Sequence, residues 1–394
     1  MPSTSESSTS KSSFRTVVGA VVAALAVALV GAVPATAATP TPAAADAALD
    51  RALDRLVAQK DGPPGIAVVV QRSADPVLHS VGTAVVGSTA PIQLDDHLRL
   101  ASVAKAFSGA VATSVVASGE LTLDTTIGEK LPTLPQAWAD VTLGQLLHHT
   151  SGIPDFSQTK AFGAAVSASL FVPPPHAELL SYVANDPLLF KPGSKYAYSN
   201  SDNIIAALMV EAATGRTYEE ELASRVLQPL GLTETSLPND AALPMPFAHG
   251  YDVSTPGAPE DASSVFAAGW AWASGGVVAT PADANRFVRG YIAGKTTNPA
   301  TRAAQFTFVK GHSEPPGPGT NTAGLAVFRY QTPCGTVYGH TGNTPGYTHF
   351  IAATKDGSRS VSVAINAQIV PKSNPKRFAE LRAVYGLAVC AALA

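Results

Sequence analysis

The alternation of apolar and polar stretches predicts that the two ends of the chain build one sheet. Leucines recur on one helical stripe across residues 45–60, and the wholly apolar run 66–70 is typical of a buried strand. A second strand is expected over 77–86. Towards the other end, short apolar runs predict four strands and a closing helix, at 325–330, 336–340, 348–354, 359–365 and 376–393. The Asp-Gly pair between the last two strands favours a tight hairpin and therefore antiparallel pairing.

The middle of the chain has a different texture. Between residues 98 and 324, Pro-rich loops separate helical patterns, for example at 102–117, 143–149, 203–214 and 219–226. The sequence therefore predicts an α+β fold, in which an antiparallel β-sheet is flanked by N- and C-terminal helices and carries an inserted, mainly helical domain. The expected boundaries are 38–97 plus 325–394 for the sheet domain, and 98–324 for the insertion.

The first residues read as a leader for export. Residues 17–33 are apolar and uncharged, and Ala35, Thr36 and Ala37 follow with the spacing of small residues that a signal peptidase accepts. We predict a signal peptide over residues 1–37 and a secreted, extracellular protein. A membrane anchor is the alternative, although the run is barely long enough to cross a bilayer. No later segment is expected to span a membrane.

Export changes the meaning of the two cysteines, Cys334 and Cys390. In an oxidising compartment they form an even pair, and a disulfide is the natural interpretation. Two buried free thiols are the alternative.

Composition excludes several classes of protein. With 46% hydrophobic and 14% charged residues, the chain is too apolar to be disordered. Its net charge of −3 gives no basic surface for nucleic acid. There is no His-Glu-x-x-His, Walker loop or Gly-x-Gly-x-x-Gly motif, and His148 and His149 would point about 100° apart on a helix. We therefore expect no metal, no cofactor and no nucleic-acid partner, and a monomeric protein.

Ser102 and Lys105 are the first candidates for chemistry. A spacing of three places both side chains on one helical face, and the neighbouring residues are apolar. A lysine held neutral by burial can take the proton of a serine and make it a nucleophile. Ser-x-x-Lys occurs four times in the chain, but only Ser102 begins a helix in an apolar setting. A plain helix cap is the alternative interpretation.

Two further motifs strengthen the catalytic interpretation. Tyr198 and Asn200 form the only Tyr-x-Asn in the chain, and a tyrosine near a cation can shuttle protons. The triplet His340, Thr341 and Gly342 ends a predicted strand. There a hydroxyl can hold a carboxylate, and glycine lets a substrate backbone approach the strand.

In this order, the three motifs resemble those of the penicillin-recognising serine hydrolases, a superfamily of D-alanyl-D-alanine peptidases, serine β-lactamases and related esterases. Within it, the sequence looks like the exocellular D-alanyl-D-alanine carboxypeptidases of actinomycetes. The resemblance covers residues 43–392, with further landmarks at 146–155, 191–203, 269–276 and 334–350.

The resemblance implies a role for each matching residue. Ser102 would be the acylated nucleophile, Lys105 would help to deprotonate it, and Tyr198 would relay protons. The backbone N–H groups of Ser102 and Asn343 would form the oxyanion hole, and Cys334 and Cys390 would be joined as in the family. The implied substrate-binding residues are Asn200, Trp270, His340, Thr341, Gly342 and Asn343.

Two positions depart from the pattern of those carboxypeptidases. Where they place an arginine on the strand before the disulfide, this chain has Phe328, followed by Arg329. Asn343 stands where they have a hydroxyl residue. The implied function is a secreted serine D-alanyl-D-alanine carboxypeptidase that acts on peptidoglycan stem peptides and is acylated by β-lactams. The alternatives are a β-lactamase, an esterase or amidase on the same fold, and a non-catalytic β-lactam sensor.

Overall fold

The computed structural model describes residues 41–254 and 257–394. The predicted signal peptide lies outside these residues and stays a prediction. A seven-stranded antiparallel sheet organises the described chain, in the order β2-β1-β12-β11-β10-β9-β8. The strand β1 thus pairs with β12, so the two ends of the chain share one sheet, which confirms the predicted sheet. Its strands are β1 (Gly65–Gln71), β2 (Val77–Gly82), β8 (Thr320–Ala323), β9 (Phe328–Thr332), β10 (Gly335–Thr344), β11 (Tyr347–Ala353) and β12 (Ser360–Ile365).

Five further strands of two residues each form two small antiparallel sheets in the intervening chain. They are β3 (Leu98–Arg99), β4 (Thr235–Ser236), β5 (Tyr251–Asp252), β6 (Glu260–Asp261) and β7 (Val278–Ala279).

Helices make up most of the remaining regular structure. Three of them, α1, α10 and α12, pack on the large sheet. The helices are α1 (Pro42–Val57), α2 (Ala104–Ser118), α3 (Ile127–Lys130), α4 (Leu143–Leu147), α5 (Lys160–Ala168), α6 (Asn200–Thr214), α7 (Tyr218–Leu222), α8 (Gln228–Leu230), α9 (Trp272–Gly275), α10 (Pro281–Ala293), α11 (Pro299–Gln305) and α12 (Pro375–Leu393).

The two terminal helices cover one face of the sheet. Alternate strand residues point to the same side, and Ile66 and Val68 do so into a core that contains Leu53 of α1. On the same face, the ring of Phe350 stacks on Tyr385 of α12 at 4.8 Å. The predicted stripe of leucines on the first helix is therefore what fastens that helix to the sheet.

A second hydrophobic core, separate from the one beneath α1 and α12, surrounds the helix α2. There α2 packs against α6 and α9. Within the described residues, the segment Ala101–Ser118 is long and apolar enough to cross a membrane. This corrects the expectation that no such segment would follow the leader. The segment is mostly buried in protein, and a helix that is apolar on all sides is typical of a protein core.

The structure differs from the predicted elements at particular points. The strand β10 continues to Thr344, so the His-Thr-Gly triplet lies within it and not at its end. The edge strand β8 was missed because its sequence, Thr-Asn-Thr-Ala, has no apolar alternation. The described residues form one compact unit, and the boundary at residues 98 and 324 stays a prediction.

One disulfide fastens the last helix to the sheet. Cys334, in the turn that joins β9 to β10, is bonded to Cys390 of α12, and their Cα atoms lie 5.2 Å apart. This is the predicted pair. Since β10 carries the His-Thr-Gly triplet, the bridge supports the strand that borders the candidate site.

Candidate active site

Ser102 lies in a tight turn that leads into α2. A 3₁₀ turn spans Ala101–Val103, and Ala101 has a φ of 51°. This left-handed conformation is uncommon for a residue with a side chain and is found preferentially at functional sites. The turn lifts the serine to the wall of a cleft while α2 continues into the core behind it.

Gly342 allows β10 to lie directly against this turn. A Cβ atom at that position would stand 2.2 Å from the carbonyl oxygen of Leu100. The predicted oxyanion donors, the N–H groups of Ser102 and Asn343, therefore belong to two segments that the glycine brings together. Their role as a pair stays a prediction.

Lys105 is fully buried beneath the serine. Its Nζ atom lies 3.2 Å from Ser102 Oγ, and it donates hydrogen bonds to Asn200 Oδ1 (2.6 Å) and to the carbonyl of Ser274 (2.7 Å). Burial lowers the pKa of Lys105 from 10.5 to about 7, against the opposing pull of nearby carboxylates, Asp155 first among them. The lysine can thus exist as a neutral amine near neutral pH.

Tyr198 stands beside this amine. The Lys105 Nζ atom lies 5.0 Å from the centre of its ring. Burial raises the pKa of the phenol well above 10, and the neighbouring Ser102 hydroxyl is the largest influence that opposes this shift. The phenol is therefore protonated at neutral pH, and it can give a proton to an atom that carries more negative charge.

Asn200 begins α6, and both ends of its amide bind protein groups. The oxygen accepts from Lys105, while the nitrogen donates to Asp155 and to Ser157, each at 2.9 Å. These contacts also assign the two ends of the Asn200 amide. A charged lysine has donors but no lone pair, so the amide atom that faces it must be the oxygen. The arrangement orients Lys105, and the expected contact of Asn200 with a substrate amide stays a prediction.

His340 and Thr341 are fully buried on β10. Burial lowers the pKa of His340 to about 3, so its ring is neutral at physiological pH. The Thr341 hydroxyl donates to the carbonyl of Pro315 at 2.7 Å. In this structure its single proton is therefore not directed at the cleft.

The cleft in front of Ser102 encloses about 460 Å³ and is largely apolar on one side. Trp270 lies in that wall, as predicted from the sequence, and its indole N–H donates to the Ser169 carbonyl at 3.0 Å. Asn343 borders the opposite side, but its amide donates to the Ile369 carbonyl at 2.8 Å. The other apolar lining residues are Phe156, Phe162, Val166 and Phe266.

A buried polar cluster behind Tyr198 was not predicted. His149 packs its ring 4.6 Å from that of Tyr198 and hydrogen-bonds Asp202 at 2.9 Å. Ser151 donates to the other oxygen of the same carboxylate at 2.5 Å. The only sign of this cluster in the sequence is the His-Thr-Ser run at 149–151. The fold shows that this run packs behind the ring of Tyr198.

One departure from the carboxypeptidase pattern, Phe328 on β9, is visible beside the site. The ring of Phe328 packs against His340, with ring centres 5.0 Å apart. The neighbouring Arg329 donates to Thr322 at 3.1 Å, and its guanidinium lies over Phe308 at 4.8 Å. Since successive side chains on a strand point to opposite faces, Arg329 does not replace an arginine at position 328.

A serine, a buried lysine with a lowered pKa and a tyrosine, placed between an antiparallel sheet and a helical layer, define a serine hydrolase of the penicillin-recognising type. The chain belongs to the beta-lactamase family, whose model matches residues 49–385. The fold and the family that the sequence predicts are thus confirmed.

Similar proteins carry several related names. The chain is 31% identical over 182 residues to a D-aminopeptidase of Brucella anthropi, a match that covers 46% of this chain and 34% of that protein. It is 28% identical over 271 residues to the D-alanyl-D-alanine-carboxypeptidase/endopeptidase AmpH of Escherichia coli K12, covering 64% and 66%. The chain thus spans from about a third to about two thirds of these relatives.

A solved structure covers more of the fold. The D-stereospecific amidohydrolase from Streptomyces sp. superposes with a TM-score of 0.74 at 26% identity, over 85% of this chain and 98% of that one. All of these names describe hydrolases, and two of the three contain no reference to carboxypeptidase activity.

Proposed function

We propose that this protein hydrolyses amide bonds on the carbonyl side of D-amino acids through an acyl-enzyme at Ser102. The observation that carries the proposal is the environment of Lys105. A neutral amine has two N–H donors and one lone pair, and the donors are taken by Asn200 and Ser274. When the amine is neutral, its lone pair is left to face Ser102 Oγ, which lies 3.2 Å from Nζ.

The reaction follows from these positions. Lys105 takes the proton from Ser102 Oγ as that oxygen bonds to the substrate carbonyl carbon. The charge that develops on the carbonyl oxygen is held by backbone N–H groups. A proton passes through Tyr198 to the departing nitrogen, and the C–N bond breaks. Water then attacks the ester, its proton travels back along the same route, and Ser102 is released.

Two versions of this function differ in the group that leaves. A D-alanyl-D-alanine carboxypeptidase releases an amino acid with a free carboxylate, and the name of AmpH supports this version. A D-aminopeptidase or amidase has no need to recognise that carboxylate, and the names of the D-aminopeptidase and the amidohydrolase support it. The packing of Phe328 on His340, where a carboxypeptidase would place a cation, favours the second version.

The test is one preparation of enzyme with matched substrates. We expect hydrolysis of a D-aminoacyl amide and of its peptide analogue, and at least a tenfold slower reaction with the L-aminoacyl amide. Ser102→Ala should lose hydrolysis and also lose covalent labelling by a penicillin, read as a mass shift of the peptide that contains residue 102. Equal rates with D- and L-substrates would contradict D-specificity, and labelling that persists in the variant would contradict the nucleophile.

A β-lactamase is the competing activity. It is distinguished by how long the acyl-enzyme lasts, since an enzyme that turns over nitrocefin rapidly has no stable penicillin adduct. We expect a persistent penicillin adduct, and rapid nitrocefin turnover without such an adduct would favour a β-lactamase instead.

Export is part of the proposal. The pattern of residues 1–37 supports a cleaved leader. Expression of the full chain in an actinomycete host should yield protein in the medium whose first residue follows Ala37. Retention of the mature activity in the cell, with residues 1–37 still attached, would contradict it.

A further inference from the structure

A strap of residues 312–319, with the sequence His-Ser-Glu-Pro-Pro-Gly-Pro-Gly, crosses one side of the active site. It is held at both ends. The Tyr196 hydroxyl donates to the His312 carbonyl, and Arg382 donates to the carbonyls of Gly317 and Gly319, each at 2.9 Å. Within the strap, Gly317 N–H donates to Ser313 Oγ at 3.1 Å, and it also donates to Asn321 of β8 at 3.0 Å. The strap is therefore a fixed element of this site.

Its middle contacts the residue expected to bind a substrate carboxylate. The Thr341 hydroxyl donates its single proton to the Pro315 carbonyl at 2.7 Å. A carboxylate that approached Thr341 would find the proton taken and a carbonyl oxygen, a second acceptor, in its path. The strap thus offers a carboxylate no favourable contact at this point.

The negative charge on the strap also disfavours a carboxylate. Glu314 precedes the contact residue, and its carboxylate acts electrostatically on both Lys105 and Tyr198. Because Glu314 directly precedes Pro315, its backbone lies next to the contact of the strap with Thr341. On β9, Arg329 is turned to Thr322 and Phe308. A free carboxylate on a leaving group would meet a like charge beside Thr341. Arg329 does not offset that charge, and the cations that act on Glu314 are His312, Lys105 and Lys372.

We propose that Glu314 and Pro315 determine the specificity for the leaving group: they disfavour a leaving group with a free carboxylate and accept one that is neutral or cationic. This inference rests on the proposed function, and it names the substrate class within that function. The preferred substrates are D-aminoacyl amides, and peptides in which the leaving residue is capped or continues into further chain.

The test uses two substrates with one acyl group, an N-acylated D-Ala-D-Ala and its C-terminal amide. Both give the same acyl-enzyme, so deacylation is identical and kcat/KM isolates the leaving-group side. We expect the amide to be hydrolysed with at least a tenfold higher kcat/KM than the free acid. In Glu314→Gln, this ratio should fall several-fold, through a gain for the free acid.

Glu260→Gln is the matched control, because Glu260 is an exposed carboxylate in the small strand β6, away from the strap. It should leave the ratio unchanged. Salt provides a readout that needs no variant: between about 0.05 and about 0.5 M NaCl, screening should lower the ratio for the native enzyme.

The outcomes separate this inference from the proposed function. If neither substrate is hydrolysed and D-aminoacyl amides are also inert, the proposed function is wrong. If both are hydrolysed at equal rates, or the free acid faster, the function stands and the role of the strap is refuted. A ratio that stays the same in Glu314→Gln and in high salt would refute the electrostatic part. If the variant does not fold, the native ratio and its salt dependence decide.

Discussion

The buried amine of Lys105 makes a quantitative prediction about pH. Its pKa of about 7 is set mainly by burial, which disfavours the charged form, and is raised in part by Asp155, Asp202 and Glu314. Acylation requires the neutral amine. With this pKa, the neutral fraction is about a tenth near pH 6 and about nine tenths near pH 8. The rate of acylation should therefore rise about tenfold over that interval, equivalent to about 1.4 kcal/mol in the barrier.

Other groups in the site do not reproduce this profile. The pKa of His340 is lowered to about 3, and the pKa of Tyr198 is raised well above 10, so neither titrates between pH 6 and 8. The raised pKa values of Asp202 and Glu314 are the exception to be controlled. Single-turnover acylation by p-nitrophenyl acetate should therefore be measured beside the ¹³Cε chemical shift of labelled Lys105, which reports on this amine alone.

Two results would refute the reasoning. One is an acylation rate that stays constant between about pH 5.5 and about pH 8.5, since a general base must lose activity when it is protonated. The other is an NMR midpoint for Lys105 near the ordinary value of 10.5. Lys105→Arg keeps the positive charge but cannot become neutral, so it should be inactive across the whole range.

The burial that lowers the pKa of Lys105 helps catalysis but reduces the free energy of unfolding. The unfolded chain binds the Lys105 proton with a pKa of 10.5, and the folded chain with a pKa of about 7. Between these values the unfolded state holds more protons, so the contribution of Lys105 to the free energy of unfolding rises with pH. Below the folded pKa, the full penalty for burying the ammonium is present. Lys105→Met should thus be more stable than the native protein near pH 6, by chemical denaturation, although it is inactive.

Three further predictions concern the scaffold of the site. Gly342→Ala places a Cβ atom 2.2 Å from the Leu100 carbonyl oxygen, so β10 must move away from the turn that carries Ser102. As a result, kcat/KM should fall at least a hundredfold. A near-native kcat/KM would show that the close approach is not needed. Removing the bridge by Cys334→Ala with Cys390→Ala should lower the free energy of unfolding by roughly 4 kcal/mol, from loop entropy over a separation of 56 residues; an unchanged urea midpoint would contradict this. His149→Phe should keep the ring packing on Tyr198 but lose the hydrogen bond to the Asp202 carboxylate. It should lower the rate of acylation about tenfold with little change in KM. A changed KM alone would indicate a binding role instead.

Much of the fold was predictable because local sequence carried it. The apolar runs at 66–70 and 359–365 have the length and bounding turns of buried strands, and the leucine stripe of α1 requires an apolar partner, which here includes the sheet. The Asp-Gly turn fixed the pairing of β11 with β12. The polar edge strand β8 could not be found in this way, since its side chains bury little and its pairing comes from the backbone of β9.

In the candidate site, too, some features were predictable from the sequence and others depended on the tertiary structure. The sequence by itself predicted the reactive groups: the Ser-x-x-Lys and Tyr-x-Asn motifs, in the order that the family resemblance implies, single out Ser102, Lys105 and Tyr198. The tertiary structure alone decided their chemistry. The pKa of Lys105 depends on complete removal from water and on the carboxylates of Asp155, Asp202 and Glu314, which are remote in sequence.

The leaving-group side was decided only by the fold. Nothing in the residues around Thr341 indicates that its proton goes to Pro315, because that contact joins β10 to a loop that lies before β8. Phe328 was visible in the sequence as a missing cation, yet the electrostatic influence of Glu314 on Lys105 and Tyr198 was not. Electrostatics in a buried site depends on distances in space, and spacing along the chain does not give those distances.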